Sequence, residues 1–143
     1  MAFSALTALQ GLRTAGMSYV RVSGITGISP SSVRRYILGE VAIPLSRQAA
    51  IQSVARTINY NILRSYGVQP ADAKRLRSRS ITNVLSTVND LRNAYTRLGN
   101  AWGIDADTVQ DSMSESDMGV EEVFQYANQV GSDEFIPRII KRK

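Results

Sequence analysis

Hydrophobic side chains recur along this chain at intervals of three and four residues, the spacing of helices that bury one face. The pattern predicts three short helices near the N-terminus, over residues 2–14, 19–26 and 30–38. Ser18 and Ser29 stand where N-caps are expected, and Gly16 and Gly39 stand where helices end. No strand-like alternation and no internal repeat is present, so the predicted fold class is all-α.

The rest of the chain is predicted to hold longer helices followed by an acidic segment. One helix is expected over residues 45–66, and another starts at Gln69-Pro70 and continues to Leu98 or Trp102. The remaining segments are a helical turn and loop, a short acidic amphipathic helix and a tail, over residues 105–118, 120–130 and 135–143.

A spaced set of small and apolar residues connects the second and third helices. It reads Val22-Ser23-x3-Gly27-Ile28-Ser29-x3-Val33-x2-Tyr36-x2-Gly39-x4-Pro44. Gly27 permits a tight turn, and Ser23 is small enough for the third helix to cross close above it. Over residues 19–57 the chain resembles the helix-turn-helix proteins of the Cro and lambda-repressor family. A helical bundle that shares only this packing geometry is the alternative.

The resemblance implies that the third helix enters the major groove of double-stranded DNA while the second lies across the backbone. The residues that would then face outward on the third helix are Ser29, Ser31, Ser32, Arg34, Arg35 and Leu38. Ser31 with Arg34 or Arg35 would meet base edges, since arginine pairs with guanine, and Arg21 and Arg47 would contact phosphates. Each of these arginines is alternatively an ordinary solvated surface charge.

Charge divides the chain more sharply than its net value of +5 suggests. Residues 1–104 carry 13 lysines and arginines against three acids, residues 105–137 carry nine acids and no base, and the last six residues carry four bases. Fourteen of the 17 bases are arginine, whose planar fork suits phosphate oxygens. The acidic segment is expected to dock on the body, to mask its basic surface from DNA, or to recruit another protein.

A basic cluster precedes the last part of the long helix. It consists of Lys74, Arg75, Arg77 and Arg79. Four bases at the start of a helix oppose the helix dipole, so an anionic partner such as a nucleic-acid backbone would stabilise them. A solvated charged face is the alternative.

A strict apolar seam follows this cluster, with spacings that alternate between three and four residues. Its members are Ile81, Val84, Val88, Leu91, Tyr95, Leu98 and Trp102. Such a seam either joins chains in a coiled-coil homo-oligomer or packs on another helix of the same chain. The expected organisation is therefore a helix-turn-helix head of four to five helices, a long helical assembly segment and a C-terminal part, over residues 1–68, 69–104 and 105–143.

Composition argues against several classes of function. The chain has no cysteine and no histidine, which removes thiolate sites, the commonest zinc ligand and the usual general base. Neither a phosphate-binding glycine loop nor a catalytic carboxylate pair is evident, so we expect no enzyme activity and no cofactor. No apolar run is long enough for a membrane span, and the first 16 residues lack the charged start of a signal peptide.

Two roles fit these expectations. The first is an oligomeric DNA-binding regulator from a phage or mobile element, acting in the host cytoplasm. The second is a packaging or virion protein that touches DNA and other viral proteins, since the layout is similar to that of phage small terminase subunits. A helical interaction protein that no longer contacts DNA is a third reading. A dimer favours the regulator, whereas a closed ring favours packaging or virion assembly.

Overall fold

The computed structural model describes residues 3–130 of the 143-residue chain. Within this range the fold is all-α, with nine helices and no strand. The helices are α1 (Ala5–Thr14), α2 (Tyr19–Thr26), α3 (Pro30–Ile37), α4 (Leu45–Ser53), α5 (Ala55–Ser65), α6 (Pro70–Leu76), α7 (Ile81–Trp102), α8 (Ala106–Glu115) and α9 (Val120–Gln129).

Capping residues explain the bounds of the first three helices. The Ser4 hydroxyl accepts a hydrogen bond from the Thr7 N–H at 3.2 Å, so α1 begins at Ala5, three residues later than predicted. The Ser18 hydroxyl accepts from the Arg21 N–H at 3.1 Å, and α2 has the predicted bounds. Pro30 opens α3, which ends one residue earlier than predicted.

Both predicted long helices are wrong as single elements. The first is divided at Val54, whose φ of −111° and ψ of 21° interrupt the helix between α4 and α5. The second is divided by residues 77–80, where the Ser80 hydroxyl caps α7 by accepting from the Asn83 N–H at 3.1 Å. The Asn59 side chain of α5 also holds this loop, by donating to the carbonyls of Arg77 and Arg79 at 3.0 and 2.8 Å.

The segment predicted as a helical turn and loop instead contains the ten-residue helix α8. The Asp105 carboxylate caps it by accepting from the Thr108 N–H at 2.7 Å, and Val109 and Met113 are buried one turn apart. The predicted acidic helix is confirmed as α9. The predicted tail at 135–143 and the first residue of the predicted first helix, Ala2, lie outside the described residues.

One continuous hydrophobic core joins these helices, and α7 lies at its centre against α1, α5, α8 and α9. Within the single chain the first six seam residues are buried and Trp102 is half-buried. The seam therefore packs on the chain's own helices, which is the intramolecular alternative, and the six buried members have almost no surface left to offer a second copy. None of the helices in residues 3–130 combines the length and the apolar character that crossing a membrane requires.

Candidate nucleic-acid interface

The connection between α2 and α3 is a tight turn fixed from both sides. Gly27 has a φ of 76°, in the left-handed region that glycine adopts without a steric penalty. The buried Thr26 hydroxyl donates to the Val22 carbonyl at 2.9 Å and accepts from the Ile28 N–H at 3.3 Å. Ile28 and Val33 are buried beside this turn, so the rotation of α3 about its axis is set by the core.

The outer face of α3 consists of polar and basic side chains. Ser31, Arg34 and Arg35 are exposed. Within residues 3–130, neither arginine forms a hydrogen bond or ion pair that would neutralise or orient it. Ser29 caps the helix by accepting from the Ser32 N–H at 3.4 Å, and its hydroxyl also donates to the half-buried Ser32 hydroxyl at 3.1 Å. The two outer arginines are therefore available to an anionic partner.

The two predicted phosphate contacts outside α3 are held by neighbouring helices. Arg21 is exposed on α2 and donates to the Asn61 side chain of α5 at 3.3 Å. The half-buried Arg47 of α4 donates to the Tyr36 hydroxyl of α3 at 3.3 Å. Arg47 thus lies beside α3, whereas the contact of Arg21 directs it towards α5.

The basic cluster of residues 74–79 is located differently from the prediction. Lys74 and Arg75 lie in the last turn of α6, where positive charge is favourable to the helix dipole, and Arg77 and Arg79 lie in the loop after it. The expected repulsion at a helix start was therefore wrong. The exposed Arg75 is paired with Asp72 at 2.9 Å and with Glu121 of α9 at 3.2 Å, so its charge is already compensated.

The Asp72 carboxylate connects α6 to the start of α9. Its Oδ2 accepts a hydrogen bond from the Val120 N–H at 3.0 Å. Burial alone would raise the pKa of Asp72, but this hydrogen bond and the adjacent Arg75 outweigh burial and lower the pKa below its ordinary value. Asp72 is therefore a structural anion that holds the acidic helix in place.

Residues 105–130 of the acidic segment pack on the body of the protein. Docking was one of the three roles expected for this segment. Val120, Val123 and Ala127 of α9 are buried against the core, and α9 packs on α7. The exposed acids include Asp107, which forms an ion pair with Arg92 of α7 at 3.0 Å. The hydrogen bonds from Thr108 lower the pKa of Asp105, consistent with its capping role.

Arg56 and Asn59 are two polar residues that the sequence analysis did not single out. Together with Arg77 and Arg79 they line a cavity of about 370 Å³ beside the break between α4 and α5. The sequence could have identified Asn59, because it is a polar residue beside Ile58 on the apolar face of the helix. The structure thus places the predicted arginines in four settings, which are the outer face of α3, contacts with neighbouring helices, the paired Arg75 and this cavity.

Comparisons of the chain with protein-family models, with curated proteins and with solved structures found no match. In the described range, no group of three or more histidine, cysteine or acidic residues is arranged to hold a metal ion.

Proposed function

We propose that this protein binds double-stranded DNA by inserting the outer face of α3 into the major groove. The observation that carries the proposal is the exposure of Ser31, Arg34 and Arg35 on a helix whose rotation is fixed by buried Ile28 and Val33. Arginine side chains that are held on a rigid helix and lack an internal partner suit paired hydrogen bonds to guanine. The resemblance to the Cro and lambda-repressor family supports the same assignment.

The remaining parts of the interface have a different role in the proposal. Arg47 lies against Tyr36 beside α3, where it would contact the phosphate backbone next to the groove. Arg21 would contribute a phosphate contact from α2, and Ser29 would contact phosphate through the N–H groups at the start of α3. Such contacts position the protein without reading the base sequence.

The experiment begins with a duplex selected by the parent chain from a randomised pool. Replacing Arg34 and Arg35 by alanine should weaken binding to that duplex by at least tenfold, since each paired contact to a base contributes about 1–3 kcal/mol. Random-sequence duplex should be affected less. Arg21→Ala should weaken both duplexes alike and lower the salt slope by about one.

Arg97→Ala is the matched control, because Arg97 is an exposed arginine of α7 that has no ion pair within residues 3–130. It should leave selective binding unchanged, while circular dichroism should show parental helicity for every variant. If the double variant binds the selected duplex as tightly as the parent, or if the pool yields no enriched sequence, the groove assignment is wrong.

We further propose that the protein acts as an oligomeric regulator from a phage or mobile element. Sedimentation separates this role from the packaging or virion role, because a dimer is expected of the regulator and a closed ring of eight or more copies of the alternative. The contact between copies would have to lie outside the six buried seam residues, since the chain's own helices cover them.

A further inference from the structure

A second basic site lies in the cavity beside the break between α4 and α5. Arg56 of α5 lines it together with Arg77 and Arg79 of the loop between α6 and α7. Arg56 and Arg79 are exposed, Arg77 is half-buried, and none of the three has an ion pair within residues 3–130. Among the described residues that line the cavity, none is acidic. Three uncompensated guanidinium groups around one cavity favour an anionic ligand.

The start of α5 adds hydrogen-bond donors to the same cavity. Val54 precedes the helix and provides no side-chain cap. Ala55, Arg56 and Thr57 form the first turn of α5, and all three residues line the cavity. Uncapped N–H groups at the start of a helix carry partial positive charge and bind phosphate oxygens.

Asn59 supplies an independent observation that points to a ligand. Only 2% of this residue is exposed, and its Nδ2 donates to the Arg77 and Arg79 carbonyls, which fixes the orientation of the amide. Its Oδ1 has no hydrogen-bond partner among the described residues. A buried acceptor without a donor destabilises the folded protein, because it has lost its hydrogen bonds to water. Asn59 lines the cavity, so the donor that this oxygen lacks would have to approach it from there.

We propose that this cavity binds a nucleotide phosphate group. The phosphate would lie between the arginines and the start of α5, and a donor on the sugar or base would bind Asn59 Oδ1. The half-buried Phe3 also lines the cavity, where its ring would stack on the base. A volume of about 370 Å³ lies within the range of small-molecule sites. A free nucleotide and the phosphorylated end of a nucleic-acid strand share this chemistry.

The site does not depend on the outer face of α3, so it extends the proposed function without resting on it. Calorimetric titration of the full chain with deoxyadenosine monophosphate tests it directly. We expect saturable binding that is at least tenfold tighter than that of inorganic phosphate or deoxyadenosine, because each of these lacks part of the recognised group. A short oligonucleotide with a 5′-phosphate, compared with the same strand ending in a hydroxyl, distinguishes the strand end from the free nucleotide.

Two variants locate the binding. Arg77→Ala combined with Arg79→Ala should weaken nucleotide binding at least tenfold, and Thr57→Glu should do the same by placing a carboxylate at the start of α5. A carboxylate there is compatible with the helix, so this variant is expected to stay folded. Arg97→Ala and the double alanine variant of Arg34 and Arg35 should bind the nucleotide as the parent does.

The side-chain amide signals of Asn59 should move when the nucleotide is added, as followed by NMR. The absence of saturable nucleotide binding would overturn the proposal. So would equal affinities for the parent, the Arg77 and Arg79 double variant and Thr57→Glu. Failure of duplex selection with intact nucleotide binding would remove the groove assignment alone, and the reverse result would remove this site alone.

Discussion

The head formed by α1 to α5 and the region formed by α6 to α9 differ in how they use their surfaces. Residues 3–68 carry seven arginines against one acid, a balance of +6, whereas residues 69–130 carry six bases against nine acids, a balance of −3. All three ion pairs within residues 3–130 lie in the second region. Within residues 3–130 the exposed large hydrophobic residues all belong to the head and are Leu6, Val20, Leu38, Val41 and Leu45.

Part of the charge of the second region is therefore compensated within the chain, whereas no arginine of the head has an ion pair within residues 3–130. Exposed ion pairs contribute little stability, so the pairs of Arg75 and Arg92 matter mainly because they compensate charge. Uncompensated arginines together with exposed apolar side chains are typical of surfaces that meet a partner. Binding by this protein is therefore expected on the head and at its border with α6.

The largest expected effect comes from replacing one leucine in each region and comparing the loss of stability. Leu91 is 1% exposed at the centre of α7, and Leu91→Ala should lower the free energy of unfolding by about 3 kcal/mol. Leu45 is 82% exposed, and Leu45→Ala should change it by less than about 0.5 kcal/mol. Urea denaturation measures both. A loss of native mass in Leu91→Ala without loss of stability would show that the seam joins chains after all.

The second prediction applies the same contrast to two helical glycines. A Cβ added at Gly99 of α7 would lie 2.5 Å from the Ile104 carbonyl oxygen, whereas one added at Gly24 of α2 meets nothing within 4 Å. Gly24→Ala should stabilise the protein by about 1 kcal/mol through helix propensity. Gly99→Ala should destabilise it by about 1 kcal/mol, because the backbone clash exceeds the same gain. Thermal denaturation of the two variants should therefore shift in opposite directions; shifts of the same sign would contradict the contrast.

The smallest expected effect concerns the anchoring of α9 by Asp72. Its pKa is lowered in the folded protein, so its contribution is present above the ordinary value of 3.8 and is lost as the pH falls through the lower folded value. Asp72→Asn should cost about 0.5 kcal/mol at neutral pH and nothing at a pH below the folded pKa. Urea midpoints measured from neutral to acidic pH check this. A cost that does not depend on pH would show that the charge has no role.

The parts of the fold that could be predicted from sequence are those with local causes. The bounds of α2 follow from Ser18 and Gly27, and the start of α3 from Ser29 and Pro30, because each residue acts within one turn of its own helix. The outer face of α3 could be predicted for the same reason, because the buried Val33 and Tyr36 of this short helix leave one direction for the arginines.

The errors have long-range causes. Asn59 donates hydrogen bonds to the carbonyls of Arg77 and Arg79, which are 18 and 20 residues away. No local sequence pattern predicts the loop that these bonds hold. Arg75 pairs with Glu121, which is 46 residues away, so the sequence of the basic cluster could not show that the charge of Arg75 is neutralised. The division at Val54 has no proline or glycine to mark it, and we have no local physical account of it.

The continuous core also constrains the DNA binding that we propose. Many binding heads are joined to their assembly regions by flexible linkers, which let one pair of heads reach sites of several spacings. Here α1 and α5 pack directly on α7, and the Tyr95 hydroxyl of α7 donates to the Tyr66 carbonyl at the end of α5 at 2.6 Å. In any assembly of this chain, the contact between copies would fix the separation and angle of the α3 helices. DNA sites with a different spacing would then be bound poorly.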